Sequence, residues 1–279
     1  WWSGFVGFDH RHHAHHYGTA PQLLARLVID DVDGGRTVLC TDEDWREHEG
    51  RRRWADLLMG EYIDSAHGTP GWTGRGFDDS AWRAARILDT DPGPLIGQRD
   101  EPVRVVDELA PVAIDRSASR TIIDFGQNLV GRLRLPASPD HALRVRHGEV
   151  LDADGELYTD NLRSAEATDP LRTTTPTEPV FTFHGFRYAE LSGADVDATQ
   201  VRAVVLSSDV EWTGEVTTSS PFLNRLIDNI RWGQRGNIVS VPTDCPQRDE
   251  RLGWTADVQV FAPTATLNAD LQALLRRWL

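Results

Sequence analysis

The stretch RTIIDFGQNLVGRLRL, residues 120–135, decides the fold class of much of this chain. Two runs rich in Ile, Val and Leu flank the Gly126-Gln127-Asn128 segment, and residues 132–135 alternate charged and apolar side chains. Successive side chains of a β-strand point to opposite faces, so this alternation predicts one buried and one solvated sheet face. We interpret the stretch as two short strands, 120–126 and 129–135, of an antiparallel sheet.

Similar segments lie on both sides of this stretch. Short apolar runs, separated by Gly, Pro, Asp and Asn, occur at 102–109, 142–150, 180–191 and 200–212. Helical periodicity is absent between most of them, which favours an antiparallel β-sandwich. We predict that this sandwich spans residues 99–211, because Pro92 and Pro94 flank Gly93 in a linker signal just before it.

Residues 1–98 are predicted to form an earlier β-domain. An Asp-Gly-Gly turn signal separates two apolar runs within 22–41, which predicts a β-hairpin. The Arg51–Arg53 triplet is interpreted as a solvated turn. Four tryptophans could offer a sugar-binding platform, although core packing is the expected fate of most of them. They are Trp45, Trp54, Trp72 and Trp82.

The hydrophobic period changes after Trp212. Ser220 and Pro221 form a cap and a first-turn proline, and the residues that follow repeat apolar side chains at helical spacing. The predicted apolar face consists of Phe222, Leu223, Leu226, Ile227 and Ile230. Residues 241–253 are predicted to be a stiff loop, because Pro242 and Pro246 prevent a regular helix. Helical patterning then resumes, so residues 212–279 are predicted to be all-α.

Composition excludes several classes of function. The net charge of −14 argues against nucleic-acid binding, which needs a basic face. No apolar run approaches the ~20 residues of a membrane-spanning helix. The two cysteines, Cys40 and Cys245, do not indicate a disulfide framework. Because the chain starts at Trp1 and ends at Leu279 within a helical pattern, we expect a truncated chain, and the compartment stays open between cytoplasm and secretion.

The predicted loop carries the chemistry. The loop and the residues just after it, TDCPQRDERLGWTAD (243–257), contain Asp244, Asp249, Glu250 and Asp257, with Arg248 and Arg251 interleaved and Trp254 close behind. Glycoside hydrolysis needs a protonated carboxylic acid, further carboxylates to bind hydroxyl groups, and an aromatic surface for the sugar. Mixed charges in a loop are also typical of a solvated, mutually paired surface. Spacing alone leaves both interpretations open.

The segment TDCPQRDERLGW, followed by Asp257, resembles the signature of bacterial α-L-rhamnosidases, inverting glycoside hydrolases with an (α/α)6-barrel catalytic domain. Four further segments resemble the same family in its usual order, so the similarity extends over nearly the whole chain. They are IDFGQNLVGRLRL, RHGEVLDADGELYTDNLR, FTFHGFRYAEL and LNRLIDNIRWGQRGN.

The resemblance implies a multidomain, mainly β fold. Two antiparallel β-sandwich domains, a jelly-roll-like one at 1–98 that is incomplete at its start and a second at 99–211, would precede the first helices of the barrel at 212–279. The implied activity is hydrolysis of terminal α-L-rhamnose with inversion. The implied substrate is a rhamnose-containing glycoside or oligosaccharide, and no cofactor is expected.

The resemblance also implies residue roles. Glu250 corresponds to the general acid, and Asp244, Arg248, Trp254 and Asp257 correspond to residues that bind the rhamnose. Inversion needs a second carboxylate as base, roughly 6.5–9.5 Å from the first. In this family the base lies downstream of the matching region, so these 279 residues alone are expected to be inactive. Ala256 stands where the family usually has glycine.

Other interpretations remain open at this stage. The chain could be a carbohydrate-binding protein without catalysis, or another (α/α)6-barrel glycosidase or a lyase. The histidines of residues 10–16 suggest a metal site, but a polar loop is the expected interpretation, so no metal is predicted. His147-Gly148 and His184-Gly185 are expected to mark bends or interdomain contacts. No nucleic acid or membrane partner is expected, and a homodimer is left open.

Overall fold

The computed structural model describes residues 20–89, 91, 93–138 and 142–279. Within these residues the chain is mainly β in its first three quarters and α-helical in its last quarter. The first six strands are β1 (Arg26–Asp30), β2 (Arg36–Cys40), β3 (Arg46–Glu47), β4 (Arg52–Asp56), β5 (Gly60–Asp64) and β6 (Arg83–Ala84).

The remaining elements follow in chain order. The strands are β7 (Val103–Leu109), β8 (Ala113–Arg116), β9 (Arg120–Arg134), β10 (Leu143–Gly148), β11 (Val150–Leu151), β12 (Leu157–Tyr158), β13 (Thr168–Arg172), β14 (His184–Ser192), β15 (Arg202–Ser208), β16 (Ile238–Val239) and β17 (Val241–Pro242). The helices are α1 (Pro221–Asn237), α2 (Thr255–Asn268) and α3 (Gln272–Trp278).

One large sheet dominates the described β region. Its strand order is β4-β5-β13-β10-β14-β9-β15-β7, with β8 paired to β9. The β5–β13 pair is parallel, with Leu171 opposite Ile63, while the other pairs of this sheet are antiparallel. The sheet therefore departs from the predicted purely antiparallel pattern at one pair.

The opening stretch forms one strand where two were predicted. Gly126 adopts a φ of +79°, and its N–H donates to Asp124 Oδ1 at 2.7 Å. On the neighbouring strand the register shifts between Phe186 and Tyr188. The irregularity is therefore absorbed as a bulge that bends β9 without ending it, because glycine tolerates the left-handed conformation. The alternation at 132–135 is confirmed, since Leu133 and Leu135 are buried while Arg132 and Arg134 are partly exposed.

The core of the large sheet is built from the apolar face of these strands. Phe125 and Phe186 meet edge to face with their ring centroids 5.9 Å apart. Trp232 of α1 packs against the same cluster. Because α1 rests on β9 and β15, the large sheet positions the first helix and the loop that follows it.

The Arg51–Arg53 triplet is not a solvated turn, so that interpretation was wrong. Arg52 begins β4, and its guanidinium contacts Glu61, whose side chain is fully buried. Glu61 Oε2 also accepts hydrogen bonds from the backbone N–H groups of Val180 (2.8 Å) and Phe181 (2.7 Å). A buried carboxylate needs a cation and donors around it, which is why arginine occurs here within a strand.

Two further expectations for the first 98 residues have different outcomes. The predicted hairpin is confirmed, because β1 and β2 pair antiparallel around the turn at Asp31–Gly35. The expected burial of most tryptophans is wrong. Trp45, Trp54 and Trp72 are exposed, and Trp82 is partly buried against Phe77 and His48.

The helical region begins as predicted. Ser220 caps α1 by accepting the Leu223 N–H at 3.4 Å, and Pro221 is its first residue. Four members of the predicted apolar face, Phe222, Leu223, Leu226 and Ile230, are exposed. Gln234 ties α1 to α2, since its Nε2 donates to the Ala265 carbonyl at 3.1 Å and its Oε1 accepts from Asn268 at 2.7 Å.

Two strands from the predicted first domain, β4 and β5, belong to the large sheet. The boundaries at residues 98 and 211 stay predictions, and the large sheet includes strands from both sides of residue 98. A search of the described residues for a helix long and apolar enough to cross a membrane finds none.

Candidate active site

The charged loop joins α1 to α2, as predicted. It starts with a tight turn, in which the Thr243 N–H donates to the Asn237 carbonyl at 2.7 Å. It closes on itself through Asp244, whose N–H donates to the Leu252 carbonyl at 3.0 Å and whose Oδ1 accepts the Leu252 N–H at 3.1 Å. These paired contacts hold the two ends of the segment 244–252 together.

Arg251 anchors the loop to the β region. Its φ is +62°, and its buried guanidinium donates to the carbonyls of Leu57 and Phe183, the latter at 2.7 Å. Further bonds reach the carbonyls of Gln247 (3.2 Å) and Arg248 (3.1 Å). Burial lowers the pKa of Arg251 to about 10. The side chain remains charged at neutral pH and serves as a structural pin rather than a sugar ligand.

Glu250, the predicted general acid, is largely buried among donors. Oε1 accepts the indole N–H of Trp254 at 3.0 Å. Oε2 lies 2.9 Å from a guanidinium nitrogen of Arg248 and 3.3 Å from one of Arg163. One oxygen therefore meets a neutral donor, and the other meets two cations. Arg248 and Trp254, both predicted as substrate-binding residues, thus contact the carboxylate of the predicted acid.

Asp244 lies beside this carboxylate. Reactive side-chain atoms of Asp244, Cys245 and Glu250 all lie within 4.8 Å of one another. The Cys245 thiol donates to Asp244 Oδ2 at 3.1 Å and accepts from Arg248 Nε at 3.1 Å. Burial raises the pKa of this thiol to about 11, so it stays protonated at neutral pH. Cys245 therefore acts as a neutral link between the two carboxylates.

Asp249 has a different environment from its neighbour Glu250. It is buried, and its Oδ1 lies 2.9 Å from Arg163 Nε. Its Oδ2 accepts hydrogen bonds from the Ser164 hydroxyl and, at 3.4 Å, from the Ser164 N–H. The partners of Asp249 thus come from the β region.

Trp254 and Asp257 mark the start of α2. Trp254 is 38% exposed, so part of its indole is available to a ligand even though its N–H is bound. Asp257 lies in the first turn of α2 and lines a cavity of about 320 Å³ together with Asp244, Ile230 and Phe261. The structure therefore brings Asp257 and Asp244 to one cavity. Ala256 lies within α2 with no positive φ, so the usual glycine is not required here.

Two clusters of metal-ligating residue types occur in the described part of the chain, and neither is built for a cation. His147 and His184 are stacked, with centroids 4.1 Å apart and an interplanar angle of 24°. A metal ion must lie near the plane of each imidazole ligand, and two nearly parallel rings cannot both satisfy that condition at one ion. In the other cluster, Arg163 and Arg248 already supply positive charge to Glu250.

Sequence reasoning missed Arg163 and Ser164 as parts of this site. Arg163 is the last residue of RHGEVLDADGELYTDNLR, one of the segments that resembled the rhamnosidase family, and this was the available signal. His147 and His184 are fully buried in the large sheet, and Gly185 contacts Gln247 of the loop. Gly185 therefore meets the loop that follows α1, whereas the expected bends or interdomain contacts at the two His-Gly pairs stay predictions along with the domain boundaries. The histidines of residues 10–16 lie outside the described residues.

Three family models match successive parts of the chain. The alpha-L-rhamnosidase N-terminal domain matches residues 1–107, the bacterial alpha-L-rhamnosidase concanavalin-like domain matches 114–207, and the bacterial alpha-L-rhamnosidase 6 hairpin glycosidase domain matches 211–279. The models follow one another in the order that the family resemblance implied.

Individual proteins agree with these models. An alpha-L-rhamnosidase of Streptomyces avermitilis is 45% identical over the whole chain, which spans 28% of that protein. A crystal structure of the S. avermitilis enzyme complexed with L-rhamnose superposes over the whole chain with a TM-score of 0.92, at 44% identity and 28% coverage of that structure. The native enzyme of Aspergillus terreus gives a TM-score of 0.91 at 38% identity, over 99% of this chain and 33% of that structure.

The chain therefore spans about a quarter to a third of the length of these relatives, and it resembles each of them over nearly all of its own length. The similarity is specific, because the family models, the sequence identity and the superposition all indicate the same enzymes. The chain belongs to the bacterial α-L-rhamnosidase family.

Proposed function

We propose that the protein containing this chain hydrolyses terminal α-L-rhamnosides with inversion, and that Glu250 is its general acid. The observation that carries the proposal is the environment of Glu250. Its carboxylate is fixed by an indole N–H and two guanidinium groups, next to Asp244 and behind a half-exposed tryptophan. A proton donor with binding groups beside it matches what glycoside hydrolysis requires.

The two oxygens of Glu250 have separate roles in this proposal. Oε2 faces two cations, which disfavour a proton there, whereas Oε1 faces the neutral indole. We therefore assign the transferable proton to Oε1. In the reaction this proton passes to the glycosidic oxygen, the bond from that oxygen to the anomeric carbon breaks, and the bonding electrons stay with the oxygen.

The remaining predicted site residues are assigned to the sugar. Asp244 and Asp257, which line one cavity, would accept hydrogen bonds from hydroxyl groups of rhamnose. Trp254 would pack its exposed indole surface against the apolar face of the sugar. Arg248 would orient both Glu250 and the substrate. The base that activates water on the opposite face is not assigned to any residue of this chain.

The test compares two leaving groups in the full-length protein that contains this chain. Glu250→Gln should lower kcat on an unactivated alkyl rhamnoside by roughly 10²–10⁴-fold, the usual contribution of a general acid. On a nitrophenyl rhamnoside the loss should be much smaller, because that leaving group departs without protonation. Glu215→Gln, which replaces an exposed glutamate outside the charged loop, is the matched control.

Four results would count against the proposal. Equal losses on both substrates, or no loss on either, would remove Glu250 from the role of acid. A wild-type protein that releases no rhamnose from any α-L-rhamnoside would overturn the proposed activity itself. A retained configuration at the anomeric carbon, read by NMR immediately after cleavage, would overturn inversion.

A further inference from the structure

Arg163 reaches the candidate site from a distant part of the sequence. It follows the short helical turn Asp160–Leu162 of the β region and has a φ of +59°. In sequence it lies 87 residues before Glu250. A non-glycine residue in the left-handed conformation costs free energy and persists where surrounding contacts enforce it.

Those contacts are made to two consecutive carboxylates. Nε of Arg163 lies 2.9 Å from Asp249 Oδ1, and Nη1 lies 3.3 Å from Glu250 Oε2. The next residue, Ser164, holds the other oxygen of Asp249 through its hydroxyl and its N–H. One guanidinium thus bridges the predicted acid to a carboxylate that is itself fixed to the β region.

Burial makes this bridge stronger than an ordinary surface ion pair. The side chains of Asp249 and Glu250 are 9% and 16% exposed, whereas that of Arg163 is 41% exposed. Charges that are shielded from water interact more strongly and lose more when a partner is removed. The planar guanidinium also fixes direction, because its donors have a rigid fork geometry that an ammonium group lacks.

We propose that Arg163 is a positioning residue for the general acid, so that the β region contributes to catalysis through Glu250. This inference rests on the proposed role of Glu250. Arg248 belongs to the same loop as Glu250, whereas Arg163 ties the carboxylate to a different part of the fold. When Glu250 gives its proton to the glycosidic oxygen it becomes an anion, and the nearby guanidinium of Arg163 stabilises that anion.

The experiment uses Arg163→Met and Arg163→Lys in the full-length protein, assayed on an alkyl rhamnoside and a nitrophenyl rhamnoside. Arg163→Met should lower kcat on the alkyl substrate by roughly 10–100-fold, as expected when a reacting group is misplaced. The loss on the nitrophenyl substrate should be several-fold smaller, and KM should change little on either. Arg163→Lys should recover part of the kcat, because it restores the charge but not the fork.

The matched control is Arg116→Met. Arg116 has similar exposure, 46% against 41%, and its carboxylate partner is Asp195. A loss of equal size on both substrates would show that Arg163 only supports folding, and no loss would show that it is dispensable. Either result overturns the inference. If Arg163→Met does not fold, the two substrates are compared with Arg163→Lys instead. A loss of kcat that is equal on both substrates would overturn the inference in that variant too.

The inference and the proposed function fail in different ways. A wild-type protein without rhamnosidase activity refutes the function before any variant is compared. Suppose that the wild type is active and that Glu250→Gln loses more kcat on the alkyl than on the nitrophenyl rhamnoside. If Arg163→Met then shows no such difference, only the role of Arg163 is refuted.

Discussion

At the scale of single residues, the most unusual group outside the candidate site is the buried set His147, Asp169 and His184. His184 Nε2 lies 3.3 Å from both Asp169 oxygens, and His147 Nδ1 lies 3.0 Å from the Ala167 carbonyl. Burial lowers the pKa of His147 to about 3 and that of His184 well below its ordinary value, and it raises the pKa of Asp169 to about 6. Nearby Arg251 further disfavours charged imidazoles.

These shifts predict that the protein loses stability in acid. In the unfolded chain His147 takes up a proton near pH 6.5, whereas the folded protein resists it until about pH 3. The stabilisation from this histidine is complete above pH 6.5 and is lost as the pH falls towards 3. Asp169 has the opposite sign, because its folded pKa of about 6 exceeds the ordinary 3.8. Two histidines against one aspartate leave net destabilisation.

His147→Gln should therefore flatten the dependence of unfolding free energy on pH between 4 and 6. The expected change in slope is up to about 1.4 kcal/mol per pH unit, the value for one proton. Urea unfolding at several pH values measures it. His67→Gln, which removes an exposed imidazole, is the control. An unchanged slope in His147→Gln would contradict the assigned proton uptake.

At the scale of elements, strand β14 and the charged loop meet with almost no space between them. A Cβ atom placed on Gly185 would lie 2.8 Å from Gln247 Cβ and 3.2 Å from its backbone N. Two residues before it, the Phe183 carbonyl accepts a bond from Arg251. The strand therefore sets the height of the loop above the sheet, and only glycine permits this approach.

Gly185→Ala should displace the loop and impair the acid that it carries. We expect kcat to fall by roughly 10–100-fold on an alkyl rhamnoside, as for a misplaced catalytic group. Gly50→Ala is the control, because a Cβ there meets nothing within 4 Å. Wild-type turnover by Gly185→Ala would show that the loop can shift without consequence.

Local signals predicted the elements whose formation depends on neighbouring residues. Ser220 and Pro221 correctly placed the start of α1, and the Asp-Gly-Gly signal correctly placed the hairpin of β1 and β2. The bulge at Gly126 was missed, because the same glycine that can end a strand can also bend one, and the partner strand decides between them.

At the scale of the whole molecule, the contacts that assemble the site connect residues far apart in sequence. Arg163 meets Glu250 across 87 residues, and Arg251 meets Leu57 across 194. The local pattern of charges does not identify such partners. In the sequence, an arginine that binds a distant residue cannot be distinguished from one that is exposed to solvent. The loop residues were predictable because they are contiguous, and their individual roles came from resemblance to a family and not from spacing.

Arg251 should accordingly matter more for stability than any surface arginine. Its loss would leave the carbonyls of Leu57, Phe183 and Gln247 without this donor in a buried setting. Arg251→Met should lower the free energy of unfolding by roughly 2–4 kcal/mol. Arg36→Met, which removes an exposed pair with Asp30, should cost less than about 1 kcal/mol. Urea denaturation compares them, and equal effects would contradict the anchoring role.

The parallel pair of β5 and β13 has a consequence for how the protein is made. Glu61 and Asp169, which bond across this junction, are 108 residues apart. At a synthesis rate of about 5–20 residues per second, the first strand waits on the order of 5–20 s for its partner to leave the ribosome. During that interval Ile63 and the carboxylate of Glu61, both fully buried in the finished fold, can meet β4 but not β13. The nascent chain thus carries an unpaired edge at β5 until β13 has been made, at the stage when chaperones would bind it.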